Sequence, residues 1–105
     1  MMSGTAEVLE HHMAALAAGD LDAIMSDYAE DAVLISGANT LRGREAITQM
    51  FKAVAANPPK LQEDVRSVEG EVAYIAWHSD QIAFGTDTFV VRNGQIVCQT
   101  VAVSR

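Results

Sequence analysis

The stretch TDTFVVRNGQIVCQTVAV, residues 86–103, decides the fold of this chain. On both sides of Asn93-Gly94 apolar and polar side chains alternate, which is the period-two pattern of half-buried strands. An Asn-Gly pair between two such runs predicts a β-hairpin, because the type I′ turn needs positive φ at both central residues. We therefore expect two antiparallel strands, over about 82–92 and 95–104, joined by a two-residue turn.

The residues ahead of this hairpin extend the strand pattern. Residues 61–69 and 71–79 are expected to form two more strands, separated by a turn at Glu69-Gly70. A short apolar run with β-branched residues, 32–35, predicts one further buried strand, followed by a turn over 36–39. Because strands follow one another directly at the end of the chain, the sheet is expected to be antiparallel.

The rest of the first half has a helical pattern. Apolar side chains recur at three and four residues over 5–18, 21–28 and about 44–57. Gly19 ends the first helix and Asp20 caps the second. The order ααβ(β)αββββ in 105 residues predicts a single α+β domain spanning the chain. We expect a cone-shaped, curved antiparallel sheet whose concave face is covered by three helices around an apolar pocket.

The charge balance excludes several classes of function. Seven Lys and Arg stand against 14 Asp and Glu, for a formal net charge of −7, and the basic residues form no cluster. Phosphate backbones and anionic membrane surfaces both attract concentrated positive charge, so neither nucleic acid nor a membrane is an expected partner. In a chain this small a pocket removes core volume, and we expect a homodimer through one sheet face to compensate.

Three further features indicate a cytoplasmic protein. Cys98 is the single cysteine, which excludes an internal disulfide and favours a reducing compartment. The sequence starts MMSGTAE, without the positive charge and apolar run of a secretory signal. No apolar stretch approaches the roughly 20 residues of a membrane span. The chain is therefore expected in the cytoplasm.

Four sequence motifs, in order along the chain, carry a resemblance to a known family. They are MAALAAGDLDAI (13–24), YAEDAV (28–33), LRGREAI (41–47) and TDTFVVRNGQI (86–96). In this order and spacing the chain resembles the nuclear transport factor 2-like superfamily, with its cystatin-like fold. That superfamily includes ketosteroid isomerase and the SnoaL-like polyketide cyclases. The resemblance specifies architecture more than chemistry, because this fold carries many unrelated activities.

His12 is the first candidate for a chemical role. It comes four residues after Val8 and four before Leu16, which places it on the apolar stripe of the first helix. In the ketosteroid isomerases the corresponding position, offset by one residue, holds the tyrosine that donates to the developing oxyanion. The resemblance therefore implies that His12 is a donor or a base. A half-buried histidine with one satisfied hydrogen bond is the alternative.

Asp87 is the second candidate. It shares the period-two register of Phe89 and Val91, which puts a carboxylate on the apolar face of a strand. A buried carboxylate is costly unless it is paired or protonated. The position resembles that of the carboxylic acid in the isomerase oxyanion hole, a group kept neutral by apolar surroundings. The alternative is a strand-end aspartate that accepts from a neighbouring loop or backbone N–H.

Ser36 departs from the isomerase pattern. The isomerases hold a general-base carboxylate at the end of the first strand, where this chain has serine, and neither Ile35 nor Gly37 can substitute. Proton transfer on a steroid-like enone then lacks its base. Ketosteroid isomerase activity itself is therefore not expected.

The remaining candidates belong to the pocket wall. On the last strand Gln99 shares one face with two valines, and its amide would fix the orientation of a ligand. Cys98, on the other face, is expected to pack in the sheet. Neither a metal nor a cofactor is expected, since Glu10-His11-His12 places adjacent ligands in diverging directions on a helix. The predicted wall is Tyr28, Ile35, Ser36, Phe51, Trp77, Phe89, Gln99, Val101 and Val103.

These residues favour a small-molecule pocket protein. The resemblance implies an isomerase, cyclase or dehydratase acting on a small apolar carbonyl compound through His12 and Asp87. Two alternatives stay open. One is a non-catalytic binder of a small apolar ligand, and the other is a dimeric interaction module with a vestigial pocket.

Overall fold

The structure, a computed structural model, describes residues 4–104. These residues form three helices and six strands in the order ααββαββββ. The helices are α1 (Thr5–Ala18), α2 (Leu21–Ser26) and α3 (Arg44–Ala56). The strands are β1 (Tyr28–Ser36), β2 (Asn39–Arg42), β3 (Gln62–Glu69), β4 (Val72–His78), β5 (Phe84–Arg92) and β6 (Gln95–Ser104).

The strands form one curved sheet in the order β2-β1-β6-β5-β4-β3. Neighbouring strands are antiparallel except β1 and β6, which run parallel. The α+β class is confirmed, and the wholly antiparallel sheet is corrected to a mixed one. The direction of β6 is set by its hairpin with β5, and β1 pairs with the other edge of β6 after a long crossover, which permits a parallel pair.

The hairpin at Asn93-Gly94 forms as predicted. Both residues have positive φ, 54° and 75°, as the type I′ turn requires. The expected β5 start at residue 82 is too early, because Ser79 closes a turn first. Its backbone N–H donates to the Ile82 carbonyl at 2.9 Å, and its hydroxyl accepts from the N–H of Ile82 at 3.2 Å.

The junction of α2 and β1 differs from the prediction. The helical pattern over 21–28 predicts that Tyr28 belongs to α2, but the helix ends at Ser26 and Tyr28 begins β1. Pairing with β6 captures this segment, since the Ile96 N–H donates to the Asp27 carbonyl at 2.7 Å. The first strand is therefore nine residues long and not the short run 32–35.

The helices cover one face of the sheet. α1 contacts β4 and β5, whereas α2 and α3 contact β1. Three rows of side chains cross this face, as the strand registers show. The deepest row is Leu34, Gln99, Phe89 and Ala73, the middle row is Ser36, Val101, Asp87 and Ile75, and the outer row is Val103, Gly85 and Trp77.

Gly19 fixes the approach of α1 to α3. It ends α1 with φ of 66°, and a Cβ there would lie 2.6 Å from Pro58 Cγ and 2.8 Å from the Ala55 carbonyl oxygen. Glycine is therefore required both by the backbone and by the space. Between Gly4 and Ser104, no helix is long and apolar enough to cross a membrane.

Candidate functional site

A cavity of about 480 Å³ lies between the helices and the middle and outer rows of the sheet. Its wall is mostly apolar, with Met13 and Leu16 from α1 and Met50, Phe51 and Val54 from α3. The polar residues Asn57, Lys60, Asp80 and Gln81 also contribute, and each is exposed, so they form the mouth. Asp87 is the ionisable residue of the wall that is not exposed.

The predicted wall residues fall into three groups: those that line the cavity, those that lie beneath it, and Ile35, which faces away from it. Ser36, Phe51, Trp77, Val101 and Val103 line the cavity. Tyr28, Phe89 and Gln99 lie in the layer beneath it, with relative exposures of 0%, 1% and 3%.

Ile35 does not line the cavity, and its predicted place in the wall is corrected. Its relative exposure is 40%. Successive residues of a strand point to opposite faces. Because Leu34 and Ser36 face the helices, Ile35 faces outward.

The Asp87 carboxyl group is held by two side-chain donors. Trp77 Nε1 donates to Oδ1 at 2.9 Å, and Gln99 Nε2 donates to Oδ2 at 2.9 Å. Burial raises the pKa of Asp87, against the lowering effects of these two hydrogen bonds and of the charge of His12. The partners are therefore side chains of the site and not a loop or backbone N–H.

The indole of Trp77 occupies the space over Gly85, its register partner on β5. A Cβ at position 85 would lie 2.5 Å from Trp77 Cε2 and 2.8 Å from Cη2. Only glycine leaves room for the ring in this position. The missing side chain of Gly85 thus lets the indole lean from β4 onto β5 and reach Asp87.

His12 is fully buried and does not reach the cavity. Its Nε2 lies 3.3 Å from the Tyr28 hydroxyl and its Nδ1 lies 3.2 Å from Asp27 Oδ2. The ring packs edge-on against Tyr28, Phe51 and Phe89. The expectation that His12 and Asp87 converge in the pocket is therefore corrected: Asp87 borders the cavity and His12 lies behind it.

Tyr28 and Gln99 connect the two groups. The Tyr28 hydroxyl donates to Gln99 Oε1, and Gln99 Nε2 donates to Asp87. Burial raises the pKa of Tyr28 well above its ordinary value, and the charges of Asp87 and Asp27 raise it further, so the hydroxyl stays protonated. We call His12, Tyr28, Gln99 and Asp87 the buried polar chain.

Asp27 contacts the His12 end of the buried polar chain, and the sequence patterns did not predict this role. Its carboxylate lies between two imidazoles, with His11 Nδ1 2.8 Å from Oδ1 and His12 Nδ1 3.2 Å from Oδ2. Asp27 is buried, whereas the His11 side chain is 54% exposed. No periodic pattern marks Asp27, because it lies between a helix and a strand. The adjacent pair His11-His12 is the signal in the sequence that could have indicated an acceptor here.

The arrangement suits proton transfer. Asp87 accepts one hydrogen bond at each oxygen, and a carboxylate oxygen has a second lone pair with which to take a proton from a ligand. Within the described residues every buried side-chain nitrogen or oxygen has a hydrogen-bond partner. In that part of the chain no three His, Cys, Asp or Glu side chains come together in an arrangement that would hold a metal ion.

Comparisons with known proteins agree with this architecture. Residues 9–99 match the model of the SnoaL-like domain. A protein from Sinorhizobium meliloti assigned as a polyketide cyclase is similar in structure, with 20% identity and a TM-score of 0.79 over 90% of this chain and 93% of that one. A search of curated proteins found no match to the sequence.

Two further solved structures have the same fold. The epoxide hydrolase/cyclase-like enzyme SalBIII, from pyran-ring formation in the polyether salinomycin, has 18% identity and a TM-score of 0.84, over 95% of this chain and 90% of that one. An NTF2-like protein from Mesorhizobium loti has 24% identity and a TM-score of 0.83, over 96% and 91%. At these identities the likeness extends to the fold.

The fold and the family model together identify the class. The chain belongs to the SnoaL-like family, and it has the fold of the NTF2-like protein described above.

Proposed function

We propose that this chain is a small-molecule enzyme of the isomerase or cyclase type, with Asp87 as the acid–base group acting on a small apolar carbonyl compound. One observation carries the proposal. The Asp87 carboxyl borders an apolar cavity and is fixed there by Trp77 and Gln99.

The cavity suits such a ligand in size and polarity. Its volume of about 480 Å³ lies within the range of small-molecule sites, which are mostly apolar with a few placed polar groups. Ser36 and Asp87 stand in one row with Val101 between them. Two strand spacings separate them by about 10 Å. A ligand that spans this distance meets a carboxyl at one end and a hydroxyl at the other.

The chemistry follows from the state of Asp87. As a carboxylate it accepts a proton from the carbon next to the ligand's carbonyl, and as a carboxylic acid it returns the proton to a different atom. Burial raises the pKa of this group towards the working pH, where a group exchanges protons most effectively in both directions. His12 has no contact with the ligand in this scheme, and its role is that of a positioning residue.

Proton exchange in deuterated water tests the proposal without knowledge of the product. The purified chain is incubated with 2-decalone or 2-cyclohexenone, and loss of the α-proton signals is followed by NMR. We expect exchange faster than in buffer, lost in Asp87→Asn and retained in Asp80→Asn. Asp80 is a matched control, since it is an exposed aspartate at the mouth of the same cavity.

A non-catalytic binder is the second candidate, favoured by a specific observation. Ser36 lines the cavity where the isomerases hold their base, which leaves Asp87 as the unexposed ionisable group of the wall. Fluorescence of Trp77, the single tryptophan, reports binding directly. Saturable quenching of Trp77 fluorescence by either ketone, without α-proton exchange faster than in buffer, would indicate a non-catalytic binder and not an enzyme.

A further inference from the structure

The hydrogen bonds of the buried polar chain all run in one direction. Asp87 accepts from Gln99, and Gln99 Oε1 accepts from the Tyr28 hydroxyl. The Tyr28 oxygen is then free only to accept, so His12 Nε2 must carry the hydrogen that points at it. His12 Nδ1 faces the Asp27 carboxylate and also donates. In this arrangement His12 is an imidazolium and Asp87 a carboxylate.

A second arrangement satisfies the same four side chains. If the Gln99 amide rotates by half a turn, its NH₂ group donates to the Tyr28 oxygen and its oxygen accepts from Asp87. The Tyr28 hydroxyl then donates to His12 Nε2, which is unprotonated. Asp87 must supply the hydrogen for Gln99 and is therefore a carboxylic acid. No atom is left without a partner in either arrangement.

We propose that one proton is shared between two sites, His12 Nε2 and Asp87 Oδ2, and that the hydrogen-bond directions of Tyr28 and Gln99 link these sites. The direction of the Gln99 amide then goes with the form of Asp87. Between the two arrangements one N–H bond at His12 Nε2 breaks and one O–H bond at Asp87 Oδ2 forms. Tyr28 keeps one hydroxyl proton and Gln99 keeps both amide protons. A cation and an anion become two neutral groups, and the total charge is unchanged.

The surroundings of the pair are compatible with both arrangements. From the α2–β1 junction Asp27 and Tyr28 face His12, and His11 of α1 shares Asp27 with it. α3 and β5 present the uncharged rings of Phe51 and Phe89 to His12, and β4 presents the indole of Trp77 to Asp87. The remaining charged residues of the cavity wall, Lys60 and Asp80, are exposed at the mouth.

The inference rests on the proposed function in one respect, namely that Asp87 is the acid–base group. An apolar ligand that displaces water from the cavity favours neutral groups over charged ones. Binding would then move the shared proton to Asp87 and make it an acid beside the ligand's carbonyl. The protonation state of Asp87 would thus be regulated by His12, Tyr28 and Gln99, which do not line the cavity.

Asp87→Asn provides the first test. Asparagine accepts from Trp77 with Oδ1 and presents its NH₂ group to Gln99, which forces the rotated amide and makes His12 Nε2 an acceptor. In ¹⁵N-labelled protein at neutral pH we expect the Nε2 signal of His12 to move to the position of an unprotonated ring nitrogen. Asp80→Asn should leave it unchanged. An Nε2 signal in Asp87→Asn at the position of a protonated ring nitrogen overturns the proposal.

Substitutions that interrupt the buried polar chain provide the second test. They distinguish a shared proton from electrostatic attraction through space. The single indole N–H resonance of Trp77 reports the charge of Asp87. In wild type, the His12 and Trp77 signals should change over the same pH range. In Gln99→Met and in Tyr28→Phe they should change over separate ranges. Two cut variants are used so that one that fails to fold leaves the other.

Matched controls exist for both variants. Gln95 Nε2 lies 3.4 Å from the Tyr28 carbonyl, outside the chain, and Tyr74 points to the other face of the sheet. Gln95→Met and Tyr74→Phe should keep the coincident titration. Coincidence that persists in both cut variants shows that charge alone couples the groups and overturns the shared proton. These spectra need no substrate. Coincident titration without α-proton exchange would therefore contradict the proposed function and leave the shared proton supported.

Discussion

Trp77 and Gly85 face each other across β4 and β5, and the indole fills the place that a side chain at position 85 would take. The contact positions Trp77 Nε1 to donate to Asp87, which lies two residues after Gly85 on β5. The orientation of the candidate acid–base group thus depends on a residue that has no chemistry of its own.

Gly85→Ala should displace the indole and break its hydrogen bond to Asp87. Overpacking of this kind costs about 1–3 kcal/mol. Loss of a hydrogen bond that lowers the pKa of Asp87 raises that pKa further. Trp77 fluorescence measures the displacement of the indole, urea unfolding measures the loss of stability, and ¹³C NMR titration of the Asp87 carboxyl measures its pKa.

Thr86→Ala is the control for this substitution, since Thr86 is the next residue and points to the outer face. It should leave the Trp77 fluorescence and the pKa of Asp87 unchanged. An unchanged emission spectrum in Gly85→Ala would mean that the ring is not held by this contact.

Asp87→Asn should raise the free energy of unfolding at neutral pH. The pKa of Asp87 is raised from its ordinary value of 3.8, so the folded state holds the proton more tightly than the unfolded state. The contribution of this group to stability is therefore complete below the unfolded-state pKa and is lost as the pH rises through the folded-state pKa. Urea unfolding of both proteins at acid and neutral pH measures the difference, which should grow with pH.

Asp80→Asn, at an exposed position, should show no such pH-dependent gain. A wild-type protein that becomes more stable relative to Asp87→Asn as the pH rises would contradict the direction of the pKa shift.

Gly19→Ala should destabilise the packing of α1 against α3. The left-handed backbone alone costs a non-glycine residue about 1–2 kcal/mol, and the new methyl group would also collide with Pro58 and the Ala55 carbonyl. Gly37→Ala is a matched control, because Gly37 has φ of 59° with open space around it. Thermal unfolding should show a larger loss of stability for Gly19→Ala than for Gly37→Ala. Equal losses would mean that the contact of position 19 with Pro58 and Ala55 does not contribute.

A homodimer through the outer face of the sheet stays a prediction. That face carries the exposed side chains of Ile35, Val65 and Val72. Thr100 is exposed on central strand β6 and pairs with Ile35 and Thr88. Thr100→Arg should convert a dimer to a monomer in sedimentation velocity, whereas Ala53→Arg, exposed on α3, should not. A wild-type chain that sediments as a monomer at micromolar concentration would end this prediction.

Local patterns in the sequence predicted the elements that form locally. The Asn93-Gly94 hairpin and the helix ending at Gly19 depend on backbone preferences of neighbouring residues, and both lie where expected. The start of β1 at Tyr28 depends on pairing with β6, some 70 residues away in sequence. No short-range pattern contains that information.

The candidate site was predictable in part for the same reason. Period-two register placed Asp87 on the helix-facing side of the sheet, where it borders the cavity. It could not place Gln99 between Asp87 and Tyr28, because the Tyr28–Gln99 bond joins residues 71 positions apart. Helical spacing buried His12 but could not show that the layer containing Tyr28 and Phe89 separates it from the cavity.

The cavity wall and the buried polar chain occupy different layers of the fold, and they meet at Asp87. Substitutions at Met13, Leu16, Met50 and Val54, which line the cavity, would change which molecule fits, while the groups that govern the proton stay in place. Changes behind Asp87 would alter reactivity and leave the shape of the cavity intact. Ligand choice and reactivity can therefore diversify independently in a domain of 105 residues.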